Sequence, residues 1–175
     1  MRKHRIVAAA AVALTVVGVL AGCAGRPGAA AVVDGREIAS SDVATALAEL
    51  KPVYTTASVQ GVLATLISEP ALIQAASQHG MGVSDEDADA VLREGFTKAD
   101  LEAPASFSPA TIAIGRYLAA ADKVNAAEDP QPIIDDYSRR MQEQDVQVNP
   151  RFGTFDQGSV VDPVPPAWIV SSTAQ

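Results

Sequence analysis

Ser58-Val59-Gln60-Gly61-Val62-Leu63-Ala64-Thr65-Leu66-Ile67-Ser68-Glu69-Pro70-Ala71-Leu72-Ile73-Gln74-Ala75-Ala76-Ser77-Gln78-His79-Gly80 is the stretch that decides the fold class. Val59, Val62, Leu63, Leu66 and Ile67, then Leu72, Ile73 and Ala76, return at the three- and four-residue spacing of one helix face. The spacing predicts a helix from about Ser58 to His79, with Gly80 as its left-handed stop. Pro70 lies inside the stripe. It has no amide hydrogen and crowds the turn before it, so the sequence predicts a bend there or a split into two helices.

Reading outward from this helix, the upstream segment is β-like. Ala29 to Val33 is apolar, Asp34-Gly35 follows, and Arg36-Glu37-Ile38 resumes. Asp-Gly between two such runs marks a hairpin, because both turn positions need positive φ. Ser40 or Ser41 then caps a helix whose apolar face is Val43, Ala46, Leu47 and Leu50, closed by Pro52. Downstream, Ser84 and Asp87 have the spacing of a capping box ahead of Ala88, Val91, Leu92 and Phe96. The acidic run at Asp85 lacks the ligand alternation, central glycine and closing glutamate of a calcium loop. Lys98 to Phe107 connects to a further helix opening Ser108-Pro109, a cap followed by proline at the first helical position. Its apolar residues are Ile112, Ile114, Tyr117 and Leu118, and it reaches about Ala127. Ile133, Ile134, Tyr137 and Met141 head a last helix, and Val146-Gln147-Val148 alternates like a strand. Asn149 to Gly153 turns, and residues 157–175 form an extended, Pro-rich tail. The expected class is mainly α, a compact bundle of about four to five helices with a small N-terminal β-hairpin.

The N-terminus carries a different signal. Arg2, Lys3, His4 and Arg5 precede an apolar run from Ile6 to Leu20, which ends Leu20-Ala21-Gly22-Cys23. The run falls short of the ~20 residues of a membrane span and has the layout of an export signal. Leu20, Ala21 and Gly22 before Cys23 resemble a bacterial lipoprotein signal. That resemblance implies cleavage after residue 22 and a diacylglyceryl lipid on the Cys23 sulfur, with residues 23–29 as a lipidated leash. Two or more acyl chains give a stable tether where one binds reversibly. The expected location is the outer face of the cell membrane, lipid-anchored and extracytoplasmic.

Composition narrows the chemistry. Three of the 13 Lys and Arg residues and no Asp or Glu lie in residues 1–22, so the remainder carries ten basic and 21 acidic residues and a net charge of −11. Such a balance disfavours a nucleic-acid partner, which needs clustered cations. Cys23 is the only cysteine, so no disulfide or cysteine metal site is available. His79 is the only histidine after the signal, beside an expected helix end where it favours the last carbonyls. No zinc-hydrolase pattern, nucleophile elbow or phosphate-binding glycine loop is present. Asp135 and Asp136 are adjacent on a helix, so their side chains diverge by about a hundred degrees and cannot flank one bond. The reading is therefore not an enzyme, with no metal and no cofactor beyond the covalent lipid on Cys23.

Two segments carry a family resemblance. Ala30-Ala31-Val32-Val33-Asp34-Gly35-Arg36-Glu37-Ile38, then Ser41-Asp42-Val43, resembles the start of the N-terminal chaperone domain of the SurA and PrsA foldases, with Asp34 where Asn is usual. The helix from Val59 to Ser77 and the following His79-Gly80-Met81-Gly82-Val83-Ser84-Asp85-Glu86-Asp87 are similar to the family's next segment. Val146-Gln147-Val148-Asn149-Pro150-Arg151-Phe152-Gly153 looks like its closing segment. The resemblance implies one SurA N-terminal-like domain over residues 30–156, with the closing strand returning to pair at the Ala31–Val33 edge. Phe96 to Val146 leaves room for two helices only and holds no histidine, so the parvulin prolyl-isomerase domain of the family is lacking.

The function implied is an ATP-independent holdase, a membrane-tethered chaperone for exported polypeptides, with unfolded exported proteins as partners. Leu66, Ile73, Phe96, Ile112 and Tyr117 are the candidate client-groove residues, set against the simpler role of core side chains. The alternative is a scaffold or assembly subunit for one envelope protein, docked through Trp168 and Ile169 of the tail.

Overall fold

Val59–Gln78 is one uninterrupted helix, the longest of the five among the described residues. The computed structural model describes residues 28–156 and 160–162. In chain order the elements are β1 (Ala29–Val33), β2 (Arg36–Ala39), α1 (Ser40–Leu50), α2 (Val59–Gln78), α3 (Asp85–Lys98), α4 (Pro109–Asn125), α5 (Gln131–Glu143), β3 (Val146–Val148), β4 (Thr154–Asp156) and β5 (Val160–Asp162). The fold is mainly α, with a small three-stranded antiparallel sheet and a separate β4–β5 pair.

The helix α2 is the spine. Its first half places Val62, Leu63, Leu66 and Ile67 in a core shared with the sheet, α1, α3 and α4. Its second half places Leu72, Ala75 and Ala76 in another cluster, against Ala120 and Val124 of α4 and Ile133 of α5. By length and composition α2 could cross a membrane, but Leu63, Ile67, Ala75 and Ala76 are fully buried against other helices of the same domain. Each large apolar side chain so buried contributes about 1.5–3 kcal/mol over its exposed state.

That packing also decides against a split at Pro70. Pro70 does not split the helix. Interior proline costs about 3 kcal/mol, yet Ile67 on one side and Ala71 and Leu72 on the other are all buried, so a break would uncover both clusters. The ends behave as read: the Ser58 hydroxyl accepts from Gly61 N at 3.1 Å, and Gly80 takes φ +77°.

Sequence reading of the hairpin holds in detail. Asp34 and Gly35 have φ of +49° and +80°, and β1 pairs antiparallel with β2, Val33 opposite Arg36. The end of the hairpin departs from the expected cap. Neither Ser40 nor Ser41 caps α1; Ala39 stands at the N-cap with no side-chain bond. The strand β2 runs straight into the helix, and Ser40 N donates instead to the Gly28 carbonyl at 2.7 Å. On the other edge of β1, β3 pairs antiparallel, Ala31 with Val148 and Val33 with Val146. Asn149 locks this return: its Nδ2 donates to the Ala29 carbonyl at 3.0 Å and its backbone N to the Ala30 carbonyl at 2.9 Å. Beyond the turn, β4 pairs with β5, which lies alongside α2.

The helices α3 and α4 cross with almost no space between backbones. A Cβ on Gly115 would lie 2.8 Å from the Ala88 carbonyl oxygen and 2.9 Å from Leu92 Cδ1. The α3 N-terminus has the full capping box, with Ser84 and Asp87 each accepting from the other's backbone N–H. Polar ties then fix the bundle. Glu49 at the end of α1 accepts from Ser108 N at 3.1 Å, from the Ser108 hydroxyl at 2.9 Å and from the Thr111 hydroxyl, closing the start of α4. Arg116 of α4 bonds buried Glu69 of α2 at 2.8 Å and Asp85 of α3 at 2.6 Å. Burial works against the Arg116 charge, but the Asp85 and Glu69 carboxylates outweigh it and hold the guanidinium above its ordinary pKa.

Candidate functional site

The connection Lys51–Ser58 between α1 and α2 is tightly wound. Val53 N and Tyr54 N both donate to the Leu50 carbonyl, at 3.0 and 2.8 Å, and Ala57 N donates to the Tyr54 carbonyl at 2.8 Å. Lys51 Nζ closes the loop on the Ala57 carbonyl at 3.3 Å. This winding sets the Tyr54 ring on the surface of the bundle, 37% exposed, the largest aromatic so placed among the described residues.

Two cavities adjoin at that ring, sharing Tyr54 and Leu118. One, about 280 Å³, is lined by uncharged residues that include Leu50, Ala57, Val62 and Ile114. The other, about 420 Å³, is lined by Val53, Val91 and Gly95, with Glu94, Lys98 and Asp122 bringing charge to it. Together they form an apolar groove bounded by the loop, the first half of α2, the second half of α3 and α4. Gly95 permits close packing here: a Cβ there would stand 3.3 Å from the Tyr54 hydroxyl and 3.4 Å from Val53 Cγ1, so an added methyl would require the Tyr54 side chain to give by a few tenths of an ångström. Lys98 pairs with Glu94 at 2.8 Å, and that bond, helped by Asp122, raises its pKa above the ordinary lysine value. The groove is thus apolar on its floor with a neutralised ion pair on one side. It suits a few apolar side chains and offers no nucleophile–base pair.

The five residues expected to line a groove are not gathered in one place. Leu66 and Phe96 are 6% and 4% exposed and belong to the first core cluster, against which Ile112 packs half-buried. Ile73 and Tyr117 pack half-buried on the second cluster, along the other half of α2. Burial, with Tyr137 beside it, raises the Tyr117 hydroxyl pKa. Leu66 also lines a separate small cavity, about 190 Å³, between β2, α2 and α4. The residues that do form the groove include Tyr54, which the sequence reading missed because no helical period marks it; an aromatic stranded in a Pro- and Thr-containing loop is the one signal that could have found it. His79 is the exposed C-cap residue of α2. Among the described residues no group of three or more His, Cys, Asp or Glu is placed to hold a metal ion. Leu20, Ala21, Gly22, Cys23, Trp168 and Ile169 lie outside the described residues.

No protein-family model, no curated protein and no solved structure matches this chain.

Proposed function

We propose that this protein is a lipid-anchored extracytoplasmic module that binds apolar segments of exported polypeptides without ATP. The observation that carries the reading is the groove at Tyr54 and Leu118, which opens beside the first core cluster at Leu50, Val62 and Ile114 and whose two cavities of about 280 and 420 Å³ approach the size of about 300–1,000 Å³ common to ligand sites. Supporting it are the lipoprotein-like Leu20-Ala21-Gly22-Cys23 and the strand return of β3 onto β1, the arrangement the SurA-type resemblance implies. Burial at about 25 cal/mol per Å², offset by the ordering of the bound segment, gives weak and reversible capture. The parvulin domain has no counterpart in the chain length between Phe96 and Val146, so the proposal is capture without isomerisation.

A second reading is a scaffold for one envelope protein. It is favoured by the scarcity of exposed large apolar residues: among those described, only Tyr54, Leu101 and Ile134 are exposed. The full chain reconstituted in lipid vesicles separates the two. A holdase suppresses aggregation of a chemically denatured client without nucleotide, and Tyr54→Asp abolishes the effect while the protein stays folded. A photo-reactive residue at position 54, in the intact envelope, then captures many newly exported chains. Absence of suppression, with capture of one protein in fixed ratio even when secretion is blocked, overturns the first reading in favour of the second.

A further inference from the structure

A cavity of about 360 Å³, sharing no lining residue with the groove, opens where the β1–β2 turn, the middle of α2 and the end of α5 meet. Each part of its wall follows from the fold. Val33 and Arg36 are register partners across the hairpin, so their side chains leave the same face of the sheet. Val33 and Ala71 are buried and, with Pro70, make one part of the wall apolar. Asp34 N donates to the Asp145 carbonyl and Asp34 Oδ1 accepts from Asp145 N, both at 2.9 Å. These bonds hold the turn against the end of α5, beside Glu143 and Gln144. Arg140 joins α5 to α2 through a 2.7 Å bond from Nη1 to Gln74 Oε1.

Two of the charges in this wall are matched: Arg140 by Asp136 at 3.1 Å, and Glu143 by Arg139 at 3.1 Å. Arg36 is not, for it makes no hydrogen bond or ion pair among the described residues. The Asp34 carboxylate meets a backbone amide but no countercharge. Gln144 Oε1 is buried and accepts from no group among the described residues. A buried acceptor without a donor is costly, so a turn of the Gln144 side chain toward a donor in the cavity would relieve it. A free cation, a free carboxylate and an unused acceptor thus surround an apolar patch. We propose that this cavity binds an α-amino carboxylate, either a free amino acid or the C-terminal residue of a polypeptide, with its carboxylate on the Arg36 guanidinium. The planar fork of arginine matches a carboxylate through two bonds at once. Gln74, whose oxygen is taken by Arg140, keeps its Nε2 as a further donor. The ligand nitrogen goes to Asp34 and Gln144 at the α5 C-terminus, where the helix dipole favours positive charge. Val33, Pro70 and Ala71 take a small apolar side chain. The volume lies at the low end of small-molecule sites, about 300–1,000 Å³, which suits one residue rather than an extended segment. The two sources share this chemistry and differ only at nitrogen, an ammonium in the free amino acid and an amide N–H in a chain end.

The full chain, isotope-labelled and held in discs of neutral lipid, is titrated with L-alanine, N-acetyl-L-alanine and L-alaninamide while its backbone amide resonances are followed. At least one of the two carboxylates should shift Gly35, Arg36 and Gln144 saturably, and L-alaninamide, which lacks the carboxylate, should not. Arg36→Gln should weaken binding about tenfold or more, as loss of a hydrogen-bonded charge does. Arg36 is exposed and bonds nothing among the described residues, so this variant keeps the fold. Asp34→Asn removes the second charge but keeps an acceptor for Asp145 N, and Asn tolerates the φ of +49°. Tighter binding of L-alanine, lost in Asp34→Asn, makes the free amino acid the ligand. Tighter binding of N-acetyl-L-alanine makes it a chain end. Equal binding of L-alaninamide overturns the proposal, as does unchanged affinity in Arg36→Gln. So do shifts confined to the Tyr54 groove, or no saturable shift with either carboxylate.

Discussion

Gly115→Ala adds one methyl group at the close crossing of α3 and α4, and its cost can be worked from the neighbours. The new Cβ would meet the Ala88 carbonyl oxygen at 2.8 Å, Leu92 Cδ1 at 2.9 Å and Ala88 Cβ at 3.0 Å. Leu92 could shift a rotamer in an open site, but it is 1% exposed here and has nowhere to go. The Ala88 contact involves backbone, so relief requires α3 and α4 to separate. Overpacking of this kind costs about 1–3 kcal/mol, and a backbone neighbour with no free volume puts it at the upper end. Against this stands the helix preference of alanine over glycine, about 1 kcal/mol. The expected net loss is about 2 kcal/mol. For an ordered body of about 130 residues, with an unfolding entropy of about 2.1 cal/mol/K per residue, that is about 7 °C in Tm. Urea unfolding followed by far-UV circular dichroism measures the first figure and a thermal scan the second. Gly82→Ala is the control, since its nearest neighbour would be the Ser77 hydroxyl at 4.0 Å. A Gly115→Ala protein as stable as its parent would refute the close backbone approach of α3 and α4.

Two further outcomes are expected. Asn149→Ala removes the bond to the Ala29 carbonyl and the acceptor for Arg151 N at 3.1 Å; it should cost about 1–3 kcal/mol and speed hydrogen exchange at Ala31 and Val33, whereas unchanged exchange there would show that β3 holds without its clamp. Acid should weaken the bundle through Asp87 and Asp136. A hydrogen bond from Lys123, then one with Ser84, holds the Asp87 carboxyl below its ordinary pKa. Burial pushes Asp136 up, but hydrogen bonds from Arg140 and Arg139 outweigh it and hold that carboxyl below its ordinary value too. Groups depressed in the folded state stabilise it above their unfolded pKa, near 4, and lose that contribution as pH falls through the folded values. Urea midpoints should therefore drop below about pH 4, and less steeply in Asp87→Asn with Asp136→Asn; equal slopes would sink the assignment.

Features set by local chemistry were readable from the sequence. The positive φ values of Asp34-Gly35, the Ser84–Asp87 box, Ser108-Pro109 and Gly80 each depend on a few consecutive residues, and all appear as read. Readings that depend on what a residue packs against went astray. Pro70 allows either a bend or a split in a lone helix, and it is the buried neighbours on both sides that exclude the split and keep α2 whole. Ser40 and Ser41 looked like caps because the sequence does not show that Gly28 already accepts from the first helical amide. The pairing of β4 with β5 involves three residues on each side, too few for an alternation to be seen. The groove was the hardest. Its expected residues came from apolar stripes, and a stripe marks the face a helix turns inward, so Leu66 and Phe96 went to the core. The groove formed where periodicity stops, at Tyr54 in a loop.

The position of α1 gives these parts a common logic. Its first amide bonds to the Gly28 carbonyl, just before β1, and its last turn holds the loop that carries Tyr54 through the Leu50 carbonyl. Eleven residues separate these ends, about 16 Å at 1.5 Å per residue. One helix therefore spans from the point where a tether on Cys23 would pull to the site where a polypeptide would bind. The β3 return is fastened at the first of these points, since Asn149 bonds the Ala29 carbonyl. Force on a tether would load the β1–β2–β3 sheet and its Asn149 clamp before it reached the groove. A client held at Tyr54 would then be insulated from the anchor by the length of α1, and Glu49, which ties the far end of α1 to Ser108 and Thr111 of α4, is the contact that would keep the groove aligned under that load.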